Sequence, residues 1–270
     1  MAATCFGSLR ANAQLNVLSG NNVQSVFSGI GRQIVVSLSN SSVCPVEVKA
    51  RTRLFQTSSA TAALVVEAPW KNFQILPGQS IAESVNLDFP AVKAETRFVI
   101  QWIEGASNVV GRTEVFVYPT NLLARLKTLA GDEPVGVFDP ANQLKPLLGS
   151  MAVEFQDLIE DGTDKLRGKL AIFGPFKSKS QMRASLKDDV RVLAKRGVAV
   201  VWLLPPPEKH VPLKPSFYTV RDDAGAVVVV AHDVVTQLAE RPEAQLNLLR
   251  LAEEALHPTP LSLPETETSN

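Results

Sequence analysis

The sequence predicts two domains, an all-β sandwich followed by an α/β domain built on a mostly parallel sheet. Three observations predict this. The chain has 270 residues, and about 150 residues make one domain. Residues 33–118 carry short runs with a period of two, broken by turn formers, and no stretch with a 3.6-residue apolar period. After Pro119, short apolar strands alternate with amphipathic stretches, the pattern of a parallel sheet with crossover helices. The boundary falls near Thr120, giving domains at 15–120 and 121–257. Residues 258–270 hold Pro258, Pro260 and Pro264 among Glu, Thr and Ser, a composition that buries little apolar area and predicts a disordered tail.

In the first half, the predicted strands are Ile34–Leu38, Val46–Leu54, Ala63–Glu67, Phe73–Ile75, Ile81–Leu87, Arg97–Ile103 and Thr113–Tyr118. Val46, Val48 and Ala50 alternate with Glu47, Lys49 and Arg51, and Phe98, Ile100 and Trp102 alternate with Val99, Gln101 and Ile103. One face of each strand is thereby committed to a core, as in antiparallel sheet. Asn40-Ser41-Ser42, Pro77-Gly78 and Gly105–Asn108 supply turns. Seven short strands at this spacing predict an immunoglobulin-like (Ig-like) β-sandwich. Trp102 reads as core by its alternation, and Trp70, beside Pro69, as a packed loop residue that could otherwise offer an indole face to a sugar. Cys44, between turn formers and without a nearby His, reads as a small packing residue.

In the second half, Asn121–Ala130 is a linking helix, Val135–Phe138 a first strand, Asn142–Leu148 a short helix and Ala152–Phe155 a second strand. Leu170–Phe173 is a third strand ending at Gly174-Pro175. Met182, Leu186, Val190 and Leu193 then recur at helical spacing, with Ser180 as a cap and Gly197 as the stop. Val198–Leu204 is a buried strand closed by three prolines, and Ala226–Ala231 a last strand leading through His232 and Asp233 into helical sequence with a break at Pro242. The predicted arrangement is an α/β three-layer sandwich with a mostly parallel sheet.

Two resemblances follow from these residues. Ser39-Asn40-Ser41-Ser42 before Val46-Glu47-Val48, Leu76-Pro77-Gly78-Gln79 and Phe89-Pro90 resemble the Ig-like modules beside catalytic domains in bacterial exported enzymes. Lys169–Gly174, Gln181–Arg196 and Gly197–Leu204 resemble the flavodoxin-like or class I glutamine-amidotransferase-like folds, and more closely their inactive copies attached to bacterial β-galactosidases and related carbohydrate-active proteins. That family places a nucleophilic cysteine at a sharp turn after a central strand, where this chain has Gly174-Pro175-Phe176. It also carries His-Pro-Glu, where this chain has His257-Pro258-Thr259. The resemblance therefore implies a catalytically degenerate domain without glutaminase activity.

Composition excludes several classes. A net charge of +0 and 20% charged residues give no electrostatic footprint for nucleic acid, and no apolar run approaches the ~20 residues of a membrane-spanning helix. Gly-x-Ser-x-Gly, Gly-x-Gly-x-x-Gly and the phosphate-cradling Gly-Lys-Ser/Thr loop are absent from the sequence. The three histidines lie far apart, outside compact zinc spacings, so no metal and no cofactor is expected. Fold physics points instead to the crevice at the carboxyl ends of the parallel strands. The candidates there are Asp139, Asp157, Lys177, His232 and Asp233, with Asn142, Lys179, Glu208 and His210 nearby. Asp139 and Asp233 also read as helix-start residues, and Lys177 could hold an anion. His232 beside Asp233 could titrate near neutral pH. The expected function is a non-catalytic binding or assembly protein whose partner is another protein or a carbohydrate. The alternative is a hydrolase or transferase acting on a carbohydrate or other small molecule, with Asp139, Asp157, His232 and Asp233 converging in that crevice. At the start of the chain, residues 1–14 lead to Ala11-Asn12-Ala13, the small-x-small pattern of a signal-peptidase site, though without a basic leading region. They set the expectation of a periplasmic or extracellular location.

Overall fold

Alternation of apolar and polar residues builds the first half strand by strand. In the computed structural model, which describes residues 15–18, 23–205, 217–221, 225–230, 235 and 237–259, the contacts divide the chain into two compact units between Thr120 and Asn121. The first unit holds β1 (Leu15–Val17), β2 (Val23–Phe27), β3 (Gly29–Asn40), β4 (Val46–Thr57), β5 (Ala62–Ile75), β6 (Ser80–Phe89), β7 (Thr96–Glu104) and β8 (Asn108–Tyr118). They pair as a three-stranded sheet, β1-β3-β6, and a five-stranded sheet, β2-β8-β7-β4-β5. Ile34, Val36 and Leu38 of β3 and Val85, Leu87 and Phe89 of β6 share one apolar cluster with Val48 and Leu54 of β4 and Phe98, Ile100 and Trp102 of β7. Asn40 locks the β3–β4 turn: its amide donates to the carbonyls of Cys44 (2.8 Å) and Ile75 (3.0 Å), and its oxygen accepts from the Ser42 amide (2.9 Å).

The second unit holds α1 (Arg125–Leu129), β9 (Val135–Phe138), α2 (Leu144–Ser150), β10 (Phe155–Asp157), β11 (Leu170–Phe173), α3 (Leu186–Lys195), β12 (Ala199–Leu203), β13 (Phe217–Arg221), β14 (Ala226–Val230) and α4 (Pro242–Leu256). Six strands form one sheet in the order β10-β9-β11-β12-β14-β13. The interior strands β9, β11, β12 and β14 are apolar because their side chains are covered on both faces. One set, Ala171, Phe173, Val200, Val227 and Val229, packs with Leu186, Val190 and Leu193 of α3.

The expected fold class, an all-β Ig-like sandwich followed by an α/β three-layer sandwich, is corrected. The described residues form three sheets, two of which mix parallel and antiparallel pairs. β2 runs parallel to β8, with Val23 opposite Glu114 and Phe27 opposite Tyr118, a pairing foreign to an antiparallel seven-strand reading. β2 escaped sequence reading because Val-Gln-Ser-Val-Phe does not alternate. Ala63–Glu67 and Phe73–Ile75 are parts of the single strand β5, which continues through Pro69 because an edge strand tolerates a missing N–H. In the second unit β13 pairs antiparallel with β14, and between β10 and β11 the described helical structure is one 3-10 turn, Thr163–Lys165, so this crossover supplies no packed helix to a layer. The second strand begins at Phe155 rather than Ala152, because Ala152 takes a left-handed turn conformation at φ 54°. Ser180 lies in the 3-10 turn Lys179–Gln181, and α3 starts only at Leu186. Pro242 opens α4 instead of breaking a longer helix, since the first helical position has no amide partner to lose.

Candidate functional site

At the carboxyl end of β9 the chain leaves the sheet with Asp139, whose side chain is 1% exposed. Its Oδ2 accepts from the amides of Leu144 (2.7 Å) and Lys145 (3.0 Å), two of the orphan donors that open α2. The Oδ1 of Asp139 is buried and without a hydrogen-bond partner. Asp139 therefore caps α2 from five residues upstream, across a loop that includes Asn142 at φ 52°.

Lys145 ties this cap to the next strand. Its Nζ donates to Oδ2 of Asp157 at 2.7 Å, and both side chains are less than one-fifth exposed. Oδ1 of Asp157 accepts from the Ile159 amide at 2.9 Å. Burial pushes the Asp157 carboxyl up, but the Lys145 hydrogen bond, the Ile159 amide, the Lys145 charge and the Glu160 amide outweigh it and hold the pKa below the ordinary 3.8. Asp157 is thus an ionised acceptor with both oxygens engaged.

The structure brings two of the sequence-derived candidates together, Asp139 and Asp157, through Lys145. It does not bring Lys177 to them by any contact of its own: Lys177 is exposed, and its backbone amide donates to Oε1 of Gln181 at 2.6 Å. The Gln181 amide reaches back toward the Pro140 carbonyl at 3.4 Å. Arg183 lies over the Phe138 ring at 5.3 Å and pairs with Asp189 at 2.8 Å. His232 and Asp233, with Glu208 and His210, lie outside the described residues, as do the segment 1–14 and the tail 260–270. Sequence reading missed Lys145, the residue that joins the cluster. Its signal is a lysine in the first turn of a helix, where a cation is unfavourable unless a carboxylate compensates it.

The turn after β11 leaves no room for a side chain at its first position. Gly174 sits at φ 105°, and a Cβ added to it would lie 2.9 Å from both Cβ and the carbonyl oxygen of Leu203. His257 stands at the opposite end of the sheet. It caps α4 and lines a cavity of about 480 Å³ with Lys169, Gly197 and Gly225, which immediately precede or lead into β11, β12 and β14. Thr259 is bound by its hydroxyl (2.8 Å) and amide (3.1 Å) to the Glu254 carboxylate. His257 thus stands at the amino ends of the parallel strands, and Asp139 and Asp157 at the carboxyl ends. A second recess of about 390 Å³ runs along the edge strand β10 and is lined by Asp157, Asp161, Lys165 and Arg167. Among the described residues no three His, Cys, Asp or Glu side chains come together as a metal-ligand group, and no helix is long and apolar enough to cross a membrane.

In the first unit, Trp70 is partly buried against Trp102 at 5.2 Å and Phe73 at 5.7 Å between ring centroids, so its indole face is turned into aromatic packing. Trp102 donates from Nε1 to Oγ1 of Thr113 at 2.9 Å inside the core.

The chain matches no family model and no curated protein. Among solved structures, similarity extends to the Pseudomonas fluorescens alkylpurine DNA glycosylase AlkC bound to DNA containing an abasic site analog (13% identity, 39% of this chain and 31% of that chain, TM-score 0.29). It extends also to the sporulation control protein Spo0M from Bacillus subtilis (15%, 44% and 56%, 0.29). A third is a β-glucosidase from Listeria innocua in complex with gluconolactone (14%, 38% and 16%, 0.27). The matched region spans less than two-thirds of the length of each of these proteins, and TM-scores this low carry no argument about what this chain does.

Proposed function

We propose that this protein works by binding rather than by catalysis, with another protein or a carbohydrate as its partner. The observation that supports this reading is the use made of the strand-end carboxylates. Asp139 closes the first turn of α2, and Asp157 is neutralised by Lys145 and held by the Ile159 amide. A general acid or base must reach substrate and exchange a proton near the working pH. The free oxygen of Asp139 is buried, and Asp157 is held ionised by its partners. The charged recess of Asp157, Asp161, Lys165 and Arg167 offers polar contacts to a partner. Export is part of the proposal and rests on Ala11-Asn12-Ala13 in the sequence.

Turnover tests it. Purified protein is incubated with glutamine, reading ammonia, and with p-nitrophenyl glycosides, reading nitrophenolate. The reading expects rates equal to those of a heat-treated control. Release above that control, abolished by Asp157→Asn in a protein that keeps its circular dichroism spectrum, would overturn it in favour of the hydrolase in which Asp139, Asp157, His232 and Asp233 converge.

A further inference from the structure

Sheet edges are templates for further strands, and folded chains normally blunt them with proline, lysine or bulges. β5, a long edge strand with Leu64, Val65 and Val66 exposed, is blunted in all three ways, by Pro69, by Lys71 and by two register shifts against β4. β13 is not. It pairs with β14 without a register break from Phe217 opposite Val230 to Arg221 opposite Ala226. It contains neither proline nor lysine, and among the described residues it ends the six-stranded sheet. Phe217, Tyr218 and Val220 are 39%, 57% and 49% exposed. Apolar side chains exposed on both faces of an edge strand in unbroken register are a standing cost in a monomer.

We propose that β13 is a self-association edge, which pairs antiparallel with β13 of a second copy of this chain and joins two six-stranded sheets into one. The strand's own sequence selects a second copy as the partner. A two-fold axis through Thr219 sets Thr219 opposite Thr219, Tyr218 opposite Val220 twice, and position 217 opposite position 221 twice. Threonine pairs and aromatic to β-branched pairs are among the favourable cross-strand combinations in antiparallel sheet. A two-fold contact of this kind is closed and yields a dimer instead of a fibre. With only five residues a side the contact is small, and the dimer is weak and concentration-dependent. Pairing at β13 involves none of Asp139, Lys145 and Asp157, and so is independent of whether that cluster binds anything.

The experiment is sedimentation-equilibrium mass measurement of the full chain over a concentration series, with hydrogen–deuterium exchange at both ends of the series. The expected result is a mass rising toward twice that of the chain, with amides of residues 217–221 gaining protection as the dimer forms. Val220→Lys places a lysine opposite Tyr218 of the second copy and should weaken the dimer by about tenfold or more while leaving the thermal unfolding midpoint in place. Tyr218→Lys serves as the second variant if Val220→Lys misfolds. A chain that stays monomeric across the series overturns the proposal. So does a dimer whose 217–221 amides gain no protection, or one that both variants leave intact.

Discussion

The ammonium of Lys145 lies 2.7 Å from a carboxylate oxygen of Asp157, joining the first turn of α2 to the end of β10. A lysine in the first turn of a helix opposes the helix dipole. Here the pairing with Asp157 offsets that cost and positions the loop after β9, whose Asp139 accepts from the amide of the same Lys145.

This pairing gives the second unit a defined acid dependence. A carboxylate whose folded pKa lies below its unfolded value contributes stability that is fully present above the unfolded value and is lost as pH falls through the folded one. Asp157 is such a group, held below 3.8. Stability should therefore fall below about pH 4, and Asp157→Asn should flatten that part of the curve. Urea unfolding of wild type and variant from pH 7 downward measures it, and parallel curves would deny Asp157 this part.

In the first unit, Thr113→Val should destabilise by about 1–3 kcal/mol, because it leaves the indole N–H of Trp102 buried without an acceptor. Trp102→Phe in the Thr113→Val background should cost less than in wild type, since the donor and acceptor are then removed together. A double-mutant cycle by denaturant unfolding reads the coupling, and additive effects would show that the bond contributes nothing.

Gly168 should tolerate no side chain. A Cβ added there would lie 2.0 Å from the Pro134 carbonyl oxygen, which is backbone and cannot swing aside. Gly168→Ala should therefore cost about 1–3 kcal/mol, as overpacking does. A thermal midpoint equal to wild type would contradict this contact.

Strands with clean alternation or a continuous apolar run were legible from sequence, as with Val46, Val48 and Ala50 in β4 or Val228 and Val230 in β14. What lay beyond reading was pairing. Nothing in Val-Gln-Ser-Val-Phe announces a parallel partner at β8, because register and direction are set by contacts distant in sequence. β13 was hidden for a similar reason: Phe217 and Tyr218 follow a proline-rich stretch, and only pairing with β14 makes them a strand. At the site, Asp139 was readable as a helix-start residue, but its acceptance of the Leu144 amide across a five-residue gap was not. Asp157 could be placed at a strand end, whereas Lys145, in the first turn of what reads as a helix from Asn142, signalled the need of a carboxylate without saying which one it meets.

If the strand-end carboxylates hold the fold together and do not serve a reaction, the unfolding free energy of Asp139→Ala must show it. Residues kept for catalysis are commonly replaced with a gain in stability, since active sites are held at some cost to the fold. Loss of a helix-capping carboxylate costs about 1–2 kcal/mol. Asp139→Ala should lower the urea unfolding free energy by about that amount, through the freed amides of Leu144 and Lys145. A variant as stable as wild type, or more stable, would contradict it.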